Sequence, residues 1–213
     1  MSAELTWTRG DDARLIGRHV PRIDGPDKVT GRAVYPHDKR FESMVWAEFV
    51  PCPVPSANVE FDFEAALAVP GVVHAERVCG DKTLYLGEPM AVVAAETPEA
   101  AREGAAALLA TMALTPLDFC VTSQAALRDG APSVGRRGNV TRERTRDQGD
   151  AEAAFATAQA GGGATIDVRY TVQVQHHACL ETHGMVVEYN GGQDATIHGS
   201  IQGTFALLDG PNE

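Results

Sequence analysis

The sequence lacks the features that mark membrane and secreted proteins. None of its apolar runs approaches the roughly 20 residues that a membrane-spanning helix needs. The N-terminus as far as Arg18 is polar and mixed in charge, without the apolar centre of a signal peptide. The four cysteines are widely spaced and form no C-x-x-C pair, which is typical of reduced thiols rather than a disulfide framework. These absences predict a cytoplasmic protein.

Positive charge is also scarce. The chain has 18 Lys and Arg against 29 Asp and Glu, a net charge of −11. This balance disfavours nucleic acid and anionic membranes as partners, because both repel net negative charge. The exception is a local basic run formed by Arg136, Arg137, Arg142, Arg144 and Arg146. No aromatic side chain is interleaved there to stack on bases, so a solvated or subunit-facing loop is the favoured interpretation.

What is present is the composition of an ordinary globular protein. Apolar residues make up 44% of the 213 residues and charged residues 22%, which is enough for one large domain or two modest ones. The first half alternates short strands and helices, so the predicted fold class is α+β. We predict strands over 44–50, 72–73 and 90–95, and a short helix over 63–68.

The clearest helix signal follows the strand at 90–95. Thr97 is a good N-cap, Pro98 suits the first helical position, and Glu99 places negative charge at the positive end of the helix dipole. We expect this helix to cover the preceding strand with an apolar face made of Ala100, Ala101, Ala105, Leu108 and Leu109.

The second half is predicted to be richer in strands. Asp150 caps a helix over 151–160 that the glycines at 161–163 end. Apolar and polar residues alternate over 166–175, which predicts a strand with one apolar face. A hairpin should follow, with strands over 185–189 and 196–202 joined by the turn at 190–192.

Histidine, cysteine and glutamate are concentrated just after the alternating segment. If the strand continued, His177, Cys179, Glu181 and His183 would share one face, and all are possible ligands of zinc or a similar metal. Same-face residues of one strand stand roughly 6–7 Å apart, too far for four to converge on one ion. A hydrogen-bonded cluster, with Glu181 paired to the two histidines, is the favoured alternative.

Gln202 is the candidate cofactor contact. It ends the last predicted strand, and it would share a face with His198 and Ser200. Its amide can both donate and accept hydrogen bonds, which suits recognition of an oxo or carbonyl group on a cofactor. The alternative is a solvated surface glutamine.

Several segments, in order along nearly the whole chain, resemble the molybdenum-binding subunit of the xanthine dehydrogenase/aldehyde oxidase family. The N-terminal matches are 16–18, 22–25, 28–33 and Tyr35. Matches to that family's α/β-hammerhead domain are 70–72, 87–97 and 100–101. Matches to the opening of its molybdopterin-binding region are 149–150, 154–155, 170–171, His177, 180–181 and His183.

The resemblance implies a domain organisation for the chain. It predicts an N-terminal arm over 1–28, an α/β-hammerhead domain over 29–127 and a linker over 128–148. The β-rich start of a molybdopterin-binding domain would follow over 149–213. The chain would thus correspond to the N-terminal part of the family's large subunit.

The resemblance also implies a function. Family members hydroxylate aldehydes or N-heterocycles with water as the oxygen source, and their electrons leave through iron–sulfur clusters to flavin. The glutamine of a Ser-x-Gln segment, here Gln202, contacts an oxygen ligand of molybdenum. The family's threonine is replaced here by Ile201, which points to the opposite face of the predicted strand. The family's general-base glutamate has no counterpart in this chain, so no catalytic or metal-ligating residue is assigned, and we expect no activity from the chain alone.

Three functions stay open at this point. The chain is the N-terminal portion or a small split subunit of a molybdenum hydroxylase, a non-catalytic structural or assembly subunit of such a complex, or a small metal-binding protein. In the first two cases its partners would be a larger molybdopterin-binding polypeptide and subunits that carry iron–sulfur clusters and FAD.

Overall fold

The computed structural model describes residues 15–135, 138–140, 142–144, 146 and 148–203. In chain order the elements are α1 (Gly25–Val29), β1 (Trp46–Pro51), β2 (Ala57–Glu60), α2 (Phe63–Leu67), β3 (Val72–Arg77), β4 (Pro89–Ala95), α3 (Pro98–Thr111), β5 (Ala113–Pro116), α4 (Ser123–Ala126), α5 (Ala151–Thr157), β6 (Met185–Gly191) and β7 (Asp194–Gly199). They form two compact units, 41–172 and 1–40 with 173–213. This is the α+β class that the sequence predicts. None of the described helices has the length and apolarity to cross a membrane.

The main sheet of the 41–172 unit is antiparallel, with β4 between β1 and β3. The strand predicted over 90–95 is present: Met90, Ala91, Val93 and Ala95 of β4 are fully buried, whereas Val92 and Ala94 are half-buried. Val93 lies opposite Glu48 of β1 and Ala75 of β3. The apolar run of β4 suits this central position, because β1 and β3 flank the strand and α3 packs against it.

Helix α3 covers this sheet as predicted. The Thr97 hydroxyl accepts a hydrogen bond from the Ala100 backbone N–H at 3.1 Å, so the predicted cap is present. The buried face contains Gly104 in place of the predicted Leu109, which is 38% exposed. A Cβ at Gly104 would lie 2.7 Å from Cγ2 of Val72 and 2.9 Å from Cγ1 of Val93, so this glycine sets how closely α3 approaches the sheet.

A second, two-stranded sheet, β2 with β5, is absent from the predictions made on sequence. Both strands have four residues, too few for a periodicity to be recognised. Fully buried Thr83 fixes the start of β2, because its hydroxyl accepts from the Ala57 backbone N–H at 3.0 Å. The Ser56 hydroxyl donates to the Thr83 carbonyl oxygen at 2.7 Å.

The hairpin of β6 and β7 is present near its predicted place. Val187 pairs with Ile197 and Glu188 with Thr196, and the turn uses positive φ angles at Gly191 and Gly192. The second strand ends at Gly199, so its predicted extension to residue 202 is wrong. Pro36–Asp38, a 3₁₀ turn of the same unit, lies against β6.

The strand predicted over 166–175 is wrong. The structure gives 164–179 no regular secondary structure, although the apolar and polar residues alternate there as in a strand. A strand exists only where its backbone N–H and C=O groups pair with a neighbour. No described residue supplies that neighbour, and Val172 is 94% exposed. The alternation of apolar and polar residues thus indicates that the segment can form a strand, but it does not show whether a neighbouring strand is present to pair with it.

Helix α5 is shorter than predicted. Asp150 caps it as expected, since its Oδ1 accepts from the Ala153 backbone N–H at 2.9 Å. The α-helical part ends at Thr157, and a π-helical turn, Ala158–Gly162, replaces the predicted last turn. Gly161 has a φ of 91°, which only glycine adopts readily. The domain boundaries inferred from the resemblance stay predictions, and residues 1–14 of the arm and 204–213 of the last domain lie outside the described residues.

Candidate cofactor-contact site

Gln202 lies three residues beyond the end of β7, in an exposed bend. The predicted common face with His198 and Ser200 therefore does not apply, because strand alternation stops at Gly199. His198 remains in β7, with its Nε2 3.8 Å from Oε2 of Glu188 on the facing strand. Gln202 therefore lies beyond the open end of the hairpin and outside its two-stranded sheet.

Two hydrogen bonds fix the backbone just before Gln202. The Ser200 backbone N–H donates to the Gly184 carbonyl oxygen at 3.0 Å. The ring of His183 donates from Nδ1 to the Ser200 carbonyl oxygen at 2.8 Å. These contacts close the open end of the hairpin, so His183 holds the segment that presents Gln202.

Sequence reasoning placed His183 in a different group. The sequence put it with His177, Cys179 and Glu181, on the assumption of one continuous strand. Its true partner is 17 residues away in sequence. The sequence signal that could have revealed this contact is the predicted hairpin, because its register sets Gly184, the neighbour of His183, beside Ser200.

The predicted cluster of histidine and glutamate is not formed. In the part of the chain that the structure describes, Glu181 makes no ion pair with His177 or His183. The same residues contain no group of three or more His, Cys, Asp or Glu side chains arranged to hold a metal ion. The reason is that 164–184 is not a strand, so the four side chains have no common face. The third alternative, a small metal-binding protein, therefore finds no metal site among the described residues.

The basic run is solvated where it can be described. Arg142, Arg144 and Arg146 are exposed, whereas Arg136 and Arg137 lie outside the described residues. An exposed run agrees with the interpretation of a solvated or subunit-facing loop.

The chemistry of Gln202 fits one contact to an oxygen-bearing cofactor. Gln202 is exposed, and its side-chain amide carries an N–H donor that suits an oxygen atom of a cofactor. No metal-ligating cluster of His, Cys, Asp and Glu accompanies it among the described residues. A cofactor at Gln202 would need its other contacts from polypeptide outside the described residues.

Comparison with known protein families bears on the same region. Residues 134–209, which include β6, β7 and Gln202, match the family model of the molybdopterin cofactor-binding domain. Over most of its length the chain is similar to molybdenum-binding subunits of the xanthine dehydrogenase/aldehyde oxidase type. The match supports molybdopterin as the cofactor that this region contacts.

Curated relatives carry the likeness over most of the chain. The nicotinate dehydrogenase large molybdopterin subunit of Eubacterium barkeri is 26% identical over 91% of this chain and 49% of its own length. The aldehyde oxidoreductase molybdenum-binding subunit PaoC of Escherichia coli O157:H7 is 26% identical over 86% of this chain and 26% of its own length. The chain therefore spans about half of the first relative and about a quarter of the second.

Solved structures share the fold. Quinoline 2-oxidoreductase from Pseudomonas putida 86 superposes with a TM-score of 0.58 and 18% identity, over 79% of this chain and 22% of that one. Aldehyde oxidoreductase from Desulfovibrio desulfuricans gives a TM-score of 0.54 and 19% identity, over 62% and 18%. At this identity the likeness concerns the fold alone, and it agrees with the predicted α+β architecture of such subunits.

Proposed function

We propose that the chain is the N-terminal portion, or a small split subunit, of a molybdenum hydroxylase that oxidises aldehydes or N-heterocycles with water. The observation that carries the proposal is the match of 134–209 to a molybdopterin cofactor-binding domain. The substrate class comes from the names of the relatives, which include nicotinate dehydrogenase, nicotine 6-hydroxylase and aldehyde oxidoreductase.

The role of this chain would be to contact the cofactor rather than to move the substrate's protons. The bound molybdopterin would supply the two-electron redox chemistry. Gln202 would donate an amide N–H to an oxygen ligand of the metal, which orients the centre and stabilises negative charge on that ligand. His183 would act through the backbone, because its bond to the Ser200 carbonyl holds the segment that carries Gln202.

The remaining functional groups would belong to other polypeptide. No glutamate of the chain matches the family's general base, and a base must lie within hydrogen-bond reach of the proton that it takes. We therefore place that glutamate on the larger molybdopterin-binding part of the subunit. The iron–sulfur clusters and FAD would be carried by partner subunits, which makes the complex, not this chain, the enzyme.

The second candidate is a structural or assembly subunit that never touches the cofactor. The observation that favours it is that the described residues contain no group of three or more His, Cys, Asp or Glu side chains that could hold a metal ion. The two candidates differ in the effect of altering the Gln202 amide.

Gln202→Ala in the assembled complex separates these candidates. Loss of one preorganised donor should lower turnover about 100-fold while assembly persists. The matched control is Gln193→Ala, an equally exposed glutamine in the hairpin turn. Turnover, molybdenum and pterin content would be measured on both purified complexes. Unchanged turnover in Gln202→Ala supports the assembly subunit, and a complex without molybdenum or pterin contradicts the hydroxylase proposal.

A further inference from the structure

The segment 166–174 displays an apolar stripe that nothing described covers. Its apolar side chains occupy every second position and are between 54% and 94% exposed: Ile166, Val168, Tyr170, Val172 and Val174. The intervening side chains are polar, with Asp167 and Arg169 among them. An extended chain with this alternation has one face suited to a protein core and one suited to water.

The backbone of 166–174 also lacks partners among the described residues. The structure assigns 164–179 no strand, and the bonds described for the backbone give 166–174 no ladder partner. A lipid surface or a small apolar ligand could cover the stripe but could not pair a row of N–H and C=O groups. Another β-strand satisfies both needs at once, which is the physical basis of strand addition.

A second incomplete β-element lies in the same matched region. The hairpin of β6 and β7 has two strands, and one of its faces carries Met185, Val187, Tyr189 and Ile197, all between 49% and 70% exposed. An isolated two-stranded sheet is marginally stable in water unless further strands or a helix cover its apolar face. The described part of 134–209 therefore contains strand-forming sequence without the layer that would bury it.

We propose that 166–174 docks the remaining polypeptide of the molybdenum-binding subunit by adding to its sheet as a strand. The inference rests on the proposed function, and it identifies the surface that the larger polypeptide contacts. The occupant follows from two facts. The stripe lies inside the region that matches the molybdopterin cofactor-binding domain, and the relatives contain about two to four times the sequence that this chain covers. Val172 and its alternate neighbours face the partner's core, whereas Thr171 and its neighbours face solvent.

A pair of neighbouring substitutions tests the assignment of faces. Val172→Lys places a charge on the apolar stripe, and Thr171→Lys places the same charge on the polar side of the same segment. Both parent residues are β-branched and exposed, and they lie on opposite faces of the extended segment. The probe is a tagged polypeptide that carries the rest of the molybdenum-binding subunit, co-expressed with the full 213-residue chain. We expect Val172→Lys to weaken its capture at least tenfold and Thr171→Lys to change it less than twofold.

Hydrogen exchange supplies a second measurement on the same complexes. The backbone amides of 166–174 should exchange rapidly in the free chain and become protected when the tagged polypeptide is bound. Equal capture of both variants, failure to capture the wild-type chain, or absence of protection would overturn the docking proposal. Loss of a self-association by Val172→Lys would also overturn it, because the occupant would be a second copy. Suppose that the purified complex contains no molybdenum or pterin, but that 166–174 is protected and only Val172→Lys weakens capture. That result would support the docking surface while contradicting the proposed hydroxylase function.

Discussion

The Asp24 carboxylate, at the start of α1, accepts hydrogen bonds from two cationic side chains. Lys28 Nζ lies 2.6 Å from one carboxylate oxygen, and Arg22 Nε lies 3.2 Å from the other. The hydrogen bond from Lys28, followed by that from Arg22, lowers the pKa of Asp24 below its ordinary value. All three side chains are solvent-exposed, so salt screens the interaction and its contribution to stability is small.

The lowered pKa of Asp24 predicts the direction of a pH effect on α1. The folded state binds the proton less tightly than the unfolded state, so the contribution is present above the unfolded pKa. It is lost as the pH falls through the lowered folded pKa. Lys28→Gln should raise the Asp24 pKa more than Arg22→Gln, because Lys28 is the larger cause. An NMR titration of the Asp24 carboxyl checks this, and an unchanged pKa in Lys28→Gln would contradict it.

Individual residues could be predicted from sequence where their partners are local. Thr97 and Asp150 were identified as caps, and each accepts from the backbone N–H three positions on. The partner of His183 is the carbonyl of Ser200, which only the hairpin brings near. For the same reason, Gln202 could be named as a candidate from the sequence, but its place beyond the end of β7 could not.

Among the elements, the contrast between β4 and 166–175 explains which predictions held. Both have strong strand patterns, and only β4 has neighbours within the described chain, namely β1 and β3. Periodicity indicates which face a strand would bury, while the neighbour determines whether the strand forms. The short strands β2 and β5 illustrate the converse, because Thr83 and the β2–β5 pairing define them although four residues are too few to predict a strand from periodicity.

Gly104 provides a test of packing against helix propensity in α3. Alanine favours a helix interior by about 1 kcal/mol over glycine, so propensity alone predicts that Gly104→Ala stabilises. The added Cβ would meet Cγ2 of Val72 at 2.7 Å, and overpacking of this kind costs about 1–3 kcal/mol. We expect a net decrease in the free energy of unfolding, measured by urea denaturation.

Two further variants separate the causes. Val72→Ala removes the nearer of the two methyl groups that the new Cβ would meet, so the double variant with Gly104→Ala should lose less than the sum of the two single losses. Ala106→Gly, at an exposed position of the same helix, should cost about 1 kcal/mol through propensity alone. Stabilisation by Gly104→Ala would show that the helix shifts away from the sheet at little cost.

At the scale of the whole molecule, burial is uneven. The buried cluster described for the chain lies in the 41–172 unit and joins β1, β4, α2 and α3 through residues that include Val50, Ala66, Met90, Val93 and Leu108. The apolar side chains of the 134–209 region are instead largely exposed, from Ile166 to Ile197. Hydrophobic burial is the main favourable term in folding, so stability should follow this division.

Hydrogen exchange on the isolated 213-residue chain tests that expectation. Amides of β4 and the buried face of α3 should open only in large unfolding events, because the central sheet and its covering helix surround them. Amides of 166–182 lack ladder bonds and should exchange at least ~100-fold faster, with the hairpin of β6 and β7 between these limits. Residues 123–126, a single turn of helix, serve as an internal standard for fast exchange within the 41–172 unit. Protection of 166–182 equal to that of β4, with no partner present, would mean that the chain alone completes the sheet that we assign to the larger polypeptide.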